Sequence, residues 1–155
     1  MTEKRLYLLL LSAFSFFMGN TIIGPTLPLY ISHLGASRFE VGLLMGISSG
    51  AVVVGRIPFG ILSEGLEKWL IIIFSLSVQF VSLLFYFYAT SVGWLYFIRL
   101  LHAFAPMSFN PIAISLASDL SPPDKRGTVM GIYLTSVAVA MIVGPFINGL
   151  LIEAL

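Results

Sequence analysis

The chain has 155 residues, 58% of them hydrophobic and only 10% charged, with a net charge of +1 and no cysteine. A soluble globular chain carries about 25% charged residues, so this composition indicates a membrane protein whose first partner is the lipid bilayer. Near-neutral charge leaves no basic footprint for nucleic acid. The missing cysteines exclude disulfides, thiolate metal sites and cysteine nucleophiles. Two histidines speak against a metal held by protein ligands alone, and no cofactor is expected.

Five apolar runs, over residues 6–32, 40–62, 69–90, 93–117 and 128–152, each reach the ~20 residues that cross a bilayer. The expected fold is therefore an all-α membrane protein with five transmembrane helices in one domain over residues 1–155. The connections His33–Phe39, Ser63–Lys68, Thr90–Gly93 and Ser118–Gly127 are short and hold most of the charge, so no soluble domain fits between spans. The opening Met1-Thr2-Glu3-Lys4-Arg5 leads into an apolar run longer than the ~7–15-residue core of a signal peptide, which reads as a retained first span. Lys/Arg bias sets orientation. With the N-terminus cytoplasmic, Lys4, Arg5, Lys68, Lys125 and Arg126 lie inside, and Arg38 alone among loop residues lies outside. Trp69 and Trp94 fall at span ends, where aromatic belts form.

Span one carries Pro25 and Pro28 near its outer end, where two missing N–H donors should bend it. Asn20 lies near mid-membrane, either facing substrate or bonding a neighbouring helix. In span two, Gly42, Gly46, Ser49, Val53, Arg56 and Gly60 share one face, and small residues at that spacing let another helix approach. Arg56 is about one turn from the cytoplasmic boundary and can snorkel. A hairpin from Gly60 to Lys68 reverses the chain. Span three is Leu, Ile, Phe and Tyr on most sides with Gln79 its lone strong polar group, and it reads as a lipid-facing scaffold helix.

Span four carries an arginine and a histidine inside an apolar run. Arg99, His102, Pro106 and Asn110 fall within about 80° of one another on a helix. A charge at membrane depth costs at least ~2.5 kcal/mol, so it must face a partner or a wet cavity. One reading makes this stripe a substrate or proton pathway. The other makes Arg99 a brace that bonds the carbonyls of neighbouring helices. None of the five runs has an acidic residue in its interior, so a proton carrier within this chain would have to be His102, whose ordinary pKa of about 6.5 suits the role. Pro122 and Pro123 then stop the fourth helix, and Asp124 can sit at the N-terminus of the fifth. Span five again has a small-residue face of Gly127, Gly131, Thr135, Ala138, Pro145 and Gly149, with a kink expected at Gly144-Pro145.

Four local patterns, in order, resemble the major facilitator superfamily and, more narrowly, its twelve-span drug:proton antiporter branch. Gly19 followed by Pro25-Thr26-Leu27-Pro28 matches a first-span pattern of a glycine, five residues, then P-x-x-P. The loop motif G-x-L-a-D-r-x-G-r-k falls on Gly60 to Trp69. There Gly60, Leu62 and Lys68 match and Glu64 replaces the aspartate, while Gly65, Glu67 and Trp69 depart from it. The fourth-span motif, leucine then R-x-x-q-G-x-g, keeps Leu95 and Arg99 but has His102, Ala103 and Ala105 at its other places. The fifth-span motif g-x8-G-x3-G-P-x2-G-G finds Gly131, Gly144, Pro145 and Gly149, with Ala140 and Asn148 as departures.

The resemblance implies transport of a small-molecule substrate by alternating access, with proton-coupled efflux as the expected mode and no enzymatic activity. It implies a gating loop at Gly60, Glu64 and Lys68, and helix bends and packing at Pro25, Pro28, Gly131, Gly144, Pro145 and Gly149. Members of the family carry two six-span halves, each built from inverted three-span repeats. Five spans then read as an incomplete N-terminal half in the cell membrane, partnered by a missing C-terminal half or by other copies of itself. The alternative is a small multi-span interaction or structural protein that associates through its small-residue faces. No carboxylate pair, histidine cluster or nucleophile–base spacing suggests a membrane enzyme.

Overall fold

The computed structural model describes residues 2–153, with side chains from Glu3 onward. The described residues form six helices: α1 (Thr2–Ile23), α2 (Thr26–His33), α3 (Arg38–Leu62), α4 (Lys68–Phe87), α5 (Val92–Asp119) and α6 (Arg126–Glu153). No strand occurs among them. α1 and α2 together make one span, giving five helical segments long and apolar enough to cross a membrane. The third span ends at Phe87 rather than at residue 90. Tyr88 closes it by donating its N–H back to the Phe85 carbonyl at 3.1 Å.

Local sequence explains the helix ends. Ser37 opens α3 with a capping box: its side chain accepts from Glu40 N, and the Glu40 carboxylate accepts from Ser37 N, so two orphan donors are satisfied at once. Ser91 Oγ accepts from Trp94 N at 3.3 Å at the start of α5. The turns after α2 and α3 pass through Gly35 at φ +87° and Gly65 at φ +83°, left-handed backbone that a side chain would strain.

The first span breaks instead of merely bending. α1 stops at Ile23, the chain turns at Gly24-Pro25, and α2 restarts at Thr26. Pro28 falls in the first turn of α2, where a missing N–H costs nothing because that donor has no helical partner. Pro145 lies inside α6, and Pro58 lies inside α3.

The chain forms two compact units: residues 1–26 with 111–155, and residues 27–110. In the first, α1 packs along α6. Ser136 Oγ donates to the Leu10 carbonyl at 3.1 Å, and Thr21 Oγ1 donates to the Ala140 carbonyl at 3.2 Å. Asn148 Nδ2 donates to the Ile22 carbonyl and bonds Thr26 Oγ1. Positions rise together along both helices, so α1 and α6 run parallel, as first and fifth spans must. The Asn148 bond also supports the break. A helix that ends at Ile23 leaves its last carbonyls without backbone donors, which in lipid must be satisfied by other groups. Asn148 supplies one.

In the second unit, α4 and α5 run antiparallel, with Ser75 paired to Ser108 (Oγ to Oγ 2.7 Å) and Gln79 to His102. α3 runs parallel to α5: Leu44 meets Arg99, and Gly55 lies so close to Met107 that an added Cβ would overlap its sulfur. Leu27, Ile31, Leu44, Ile72, Leu95, Ile98 and Phe109 are buried within this unit's residues.

Within this chain the small-residue faces of spans two and five are not the buried ones. Gly42, Gly46, Gly60, Gly131 and Gly149 are exposed, and a Cβ on any of them would meet nothing within 4 Å. The buried residues of α3 are Leu44 and Ser48, and those of α6 are Val129, Tyr133, Ala140, Gly144 and Asn148, in each case on the opposite side. A glycine stripe permits close approach but exerts no attraction of its own. Within this chain the contacts form where carbonyls find donors and larger side chains find neighbours. Gly144 is the exception among the expected packing glycines. A Cβ there would overlap Thr21 Oγ1 and stand 2.9 Å from Thr21 Cβ.

Candidate functional site

α5 is the most enclosed span. Half of its most apolar window is buried, against 11–28% in the other four. Its buried face runs Leu95, Ile98, His102, Ala105 and Phe109, at the spacing of one helix side. The polar groups of spans three and four meet on this face.

Arg99 is half-buried. Its Nε donates to the Leu44 carbonyl of α3 at 3.5 Å, and its Nη2 approaches Met45 Sδ at 3.3 Å. Both acceptors are neutral. His102, one turn on, is 5% exposed. Its Nε2 stands 3.1 Å from Gln79 Oε1 and its Nδ1 3.4 Å from the Tyr86 hydroxyl, with the Tyr86 and His102 rings edge to face at 5.9 Å. His102 therefore joins the polar side chains of α4 to α5, and Arg99, one turn earlier, joins α5 to a carbonyl of α3.

Asn110, on the same side of α5, is eleven residues from Arg99, about 16 Å along the helix. Its buried Oδ1 has no hydrogen-bond partner among the described residues. Asn20 belongs to the first unit, where its Nδ2 donates to the Phe16 carbonyl of its own helix at 3.3 Å. Gly60 and Glu64 are exposed at the hairpin after α3, where Ser63 Oγ donates to the Gly60 carbonyl at 2.9 Å, and Lys68 opens α4 half-buried.

Gln79 and Tyr86 are the site residues that reading the spans singly misses. α4 is apolar enough to pass as scaffold, and its outer face is indeed exposed at Ile73, Phe74, Phe80 and Val81. The signal was available: Ser75, Gln79, Ser82 and Tyr86 recur every three or four residues, so these four share one side of α4, while Ser77 falls on the exposed side. Ser75, Gln79 and Ser82 are buried.

Fold and site together define a multi-pass helical membrane protein that holds a positive charge on its most enclosed span. Residues 9–155 match the Major Facilitator Superfamily profile, and the chain belongs to that family. It is 28% identical over 151 residues to an MFS-type transporter of Methanocaldococcus jannaschii, a match covering 97% of this chain and 39% of that protein. It is 29% identical over 144 residues to a multi-drug resistance efflux pump PmrA homolog of Lactococcus lactis, covering 89% of this chain and 35% of the pump. The quinolone resistance protein NorA of Staphylococcus aureus is 26% identical over 152 residues, covering 97% of this chain and 39% of NorA. The chain thus spans under two-fifths of the length of these relatives.

Proposed function

We propose that these spans serve the membrane transport of a small solute by alternating access, as part of the N-terminal half of a proton-coupled efflux system in the cell membrane, with the N-terminus cytoplasmic. The observation that carries this reading is Arg99. A guanidinium on the most enclosed span, with a neutral carbonyl and a thioether as acceptors, is costly to keep at membrane depth unless it serves a pathway. One relative named as a multi-drug resistance efflux pump and another named for quinolone resistance favour amphiphilic drug-like solutes such as quinolones. The open small-residue faces at Gly42, Gly46 and Gly131 are where a second half would pack. The hairpin at Gly60, Glu64 and Lys68 would form the gating latch against that half. Its departures from the family motif predict a weakened latch.

The test uses everted membrane vesicles that contain the protein carrying these spans. A proton gradient should drive quinolone uptake, and a protonophore should stop it. Arg99→Ala should abolish gradient-driven uptake. Uptake equal to that of vesicles without the protein would overturn the reading. The same open glycine faces also suit a second reading, a small interaction protein that assembles with copies of itself. A defined homo-oligomer in detergent, with no solute flux, would favour that.

A further inference from the structure

We propose that His102 is an uncharged clasp between α4 and α5, held by Gln79 and Tyr86, and that it does not carry the coupling proton. Only the statement about coupling rests on the transport reading above. The clasp rests on the side chains alone. His102 is 5% exposed, and its ring meets two side chains of α4. Nε2 stands 3.1 Å from Gln79 Oε1, and Nδ1 stands 3.4 Å from the Tyr86 hydroxyl. Both ring nitrogens are therefore engaged, and by neutral groups. An amide oxygen can only accept, so Nε2 carries the hydrogen. In a neutral imidazole Nδ1 then keeps a lone pair, and the Tyr86 hydroxyl donates to it.

A second proton has no comparable arrangement. An Nδ1–H would point at the Tyr86 hydroxyl, whose own hydrogen would then need a new acceptor. None of the five apolar runs has an acidic residue in its interior, so no carboxylate is at hand to pair the charge. From α4 the ring is faced by Gln79 and by the titratable Tyr86. On α5 itself Arg99 stands one turn earlier and is already positive. α3, which meets α5 at Arg99, keeps its charged residues Arg38, Glu40 and Arg56 toward its ends. An imidazolium here would be a buried charge without a partner, whereas the neutral ring has both of its bonds made. The seam continues without charge. Ser75 and Ser108, both fully buried, share a hydrogen bond of 2.7 Å, about 9 Å further along α5. Hydroxyls, an amide and a neutral imidazole thus join the two helices. On the transport reading, the coupling proton is then carried outside the interior of these five spans.

The test is nitrogen NMR of labelled histidine, on the protein carrying these spans in lipid nanodiscs, from about pH 5 to pH 8, where an ordinary imidazole changes charge. The His102 signals are those absent from His102→Gln. We expect a protonated Nε2 and an unprotonated, hydrogen-bonded Nδ1, with neither signal moving across that range. Tyr86→Phe should shift Nδ1 to the position of a free ring nitrogen, and Gln79→Leu should shift Nε2. His102→Gln can accept from Tyr86 and donate to Gln79, so it should unfold near the wild-type temperature. His102→Leu can do neither and should unfold lower. Two protonated nitrogens at any pH in the range, or the hydrogen on Nδ1, overturn the proposal in the wild-type protein alone. An Nδ1 signal unmoved in Tyr86→Phe overturns it as well, as do equal unfolding temperatures for His102→Gln and His102→Leu. None of these measurements depends on solute flux, so failure of the transport reading remains a separate result.

Discussion

A guanidinium with a carbonyl at 3.5 Å and a thioether at 3.3 Å for acceptors is either part of a pathway or a brace between α3 and α5, and single substitutions separate the two. If Arg99 serves the pathway, Arg99→Gln should remove proton-driven flux per folded molecule, and Arg99→Lys should restore little. An ammonium does not reproduce the planar donor fork that meets Leu44 and Met45. If Arg99 only braces, the glutamine variant should lower yield and thermal stability but leave flux per folded molecule intact. Both quantities are read from one purified sample. Gly144 gives a second residue-scale prediction. An alanine there would overlap Thr21 Oγ1 and press within 3.2 Å of the Thr21 backbone carbon, and backbone cannot yield as a side-chain tip can. Gly144→Ala should cost about 1–3 kcal/mol of stability. The same change in a Thr21→Ala background should cost less. Gly131→Ala meets open space and should be neutral or slightly stabilising, since alanine is the better helix former by up to about 1 kcal/mol. Thermal unfolding of the purified chain in detergent checks all three.

α1 and α6 show how a helix break is maintained in a membrane. The turn at Gly24-Pro25 separates α1 from α2, and Asn148 donates to the Ile22 carbonyl that the break exposes. Asn148→Leu should therefore do two things. It should lower the unfolding temperature modestly, by the equivalent of about 0.6 kcal/mol and at most about 1.7 kcal/mol for a polar contact between membrane helices. It should also raise hydrogen exchange at Ile23, Gly24 and Thr26 more than at Leu9 or Ala13, and uniform exchange along α1 would argue against the capping role. This element also marks where sequence stops being sufficient. The existence of five spans is legible because length and apolarity are enough to recognise a crossing. The partner face of a span is not. Gly131, Thr135 and Ala138 present an evident small-residue pattern, yet α6 buries Tyr133, Ala140, Gly144 and Asn148. That choice depends on which carbonyls of α1 lack donors, a fact no pattern within α6 contains. The candidate site divides the same way. Arg99 and His102 stand out as polar residues in an apolar run. Gln79 and Tyr86 emerge once α4 is read as a helix facing α5, where Ser75, Gln79, Ser82 and Tyr86 fall on one side.

At the scale of the whole chain, helix directions and charge constrain how the spans thread a bilayer. Within the first unit α1 and α6 run parallel, as the Leu10–Ser136 and Ile22–Asn148 pairs require. Within the second, α4 opposes α5 while α3 runs with it. Alternating crossings would require the first and fifth spans to run parallel to each other and the second and fourth likewise, as each unit shows. Lys/Arg bias then selects between the two ways of placing such a stack. If the spans cross alternately, Lys4, Arg5, Lys68, Lys125 and Arg126 share one side, and Arg38 alone among loop residues takes the other. We expect the side rich in basic residues to be cytoplasmic. The absence of cysteine from these 155 residues simplifies the check, because an introduced thiol is then the only one among them. Cysteine at Arg38, in the protein as expressed in intact cells, should react with a membrane-impermeant maleimide. Cysteine at Lys68 or Lys125 should react only after the membrane is opened. Arg38 opens α3 immediately after Ser37, and Lys125 lies in the turn before α6, so neither substitution removes a span. Labelling of Lys125→Cys from outside would invert the orientation. It would also place the hairpin of Gly60, Glu64 and Lys68 on the external face, where a cytoplasmic latch could not form.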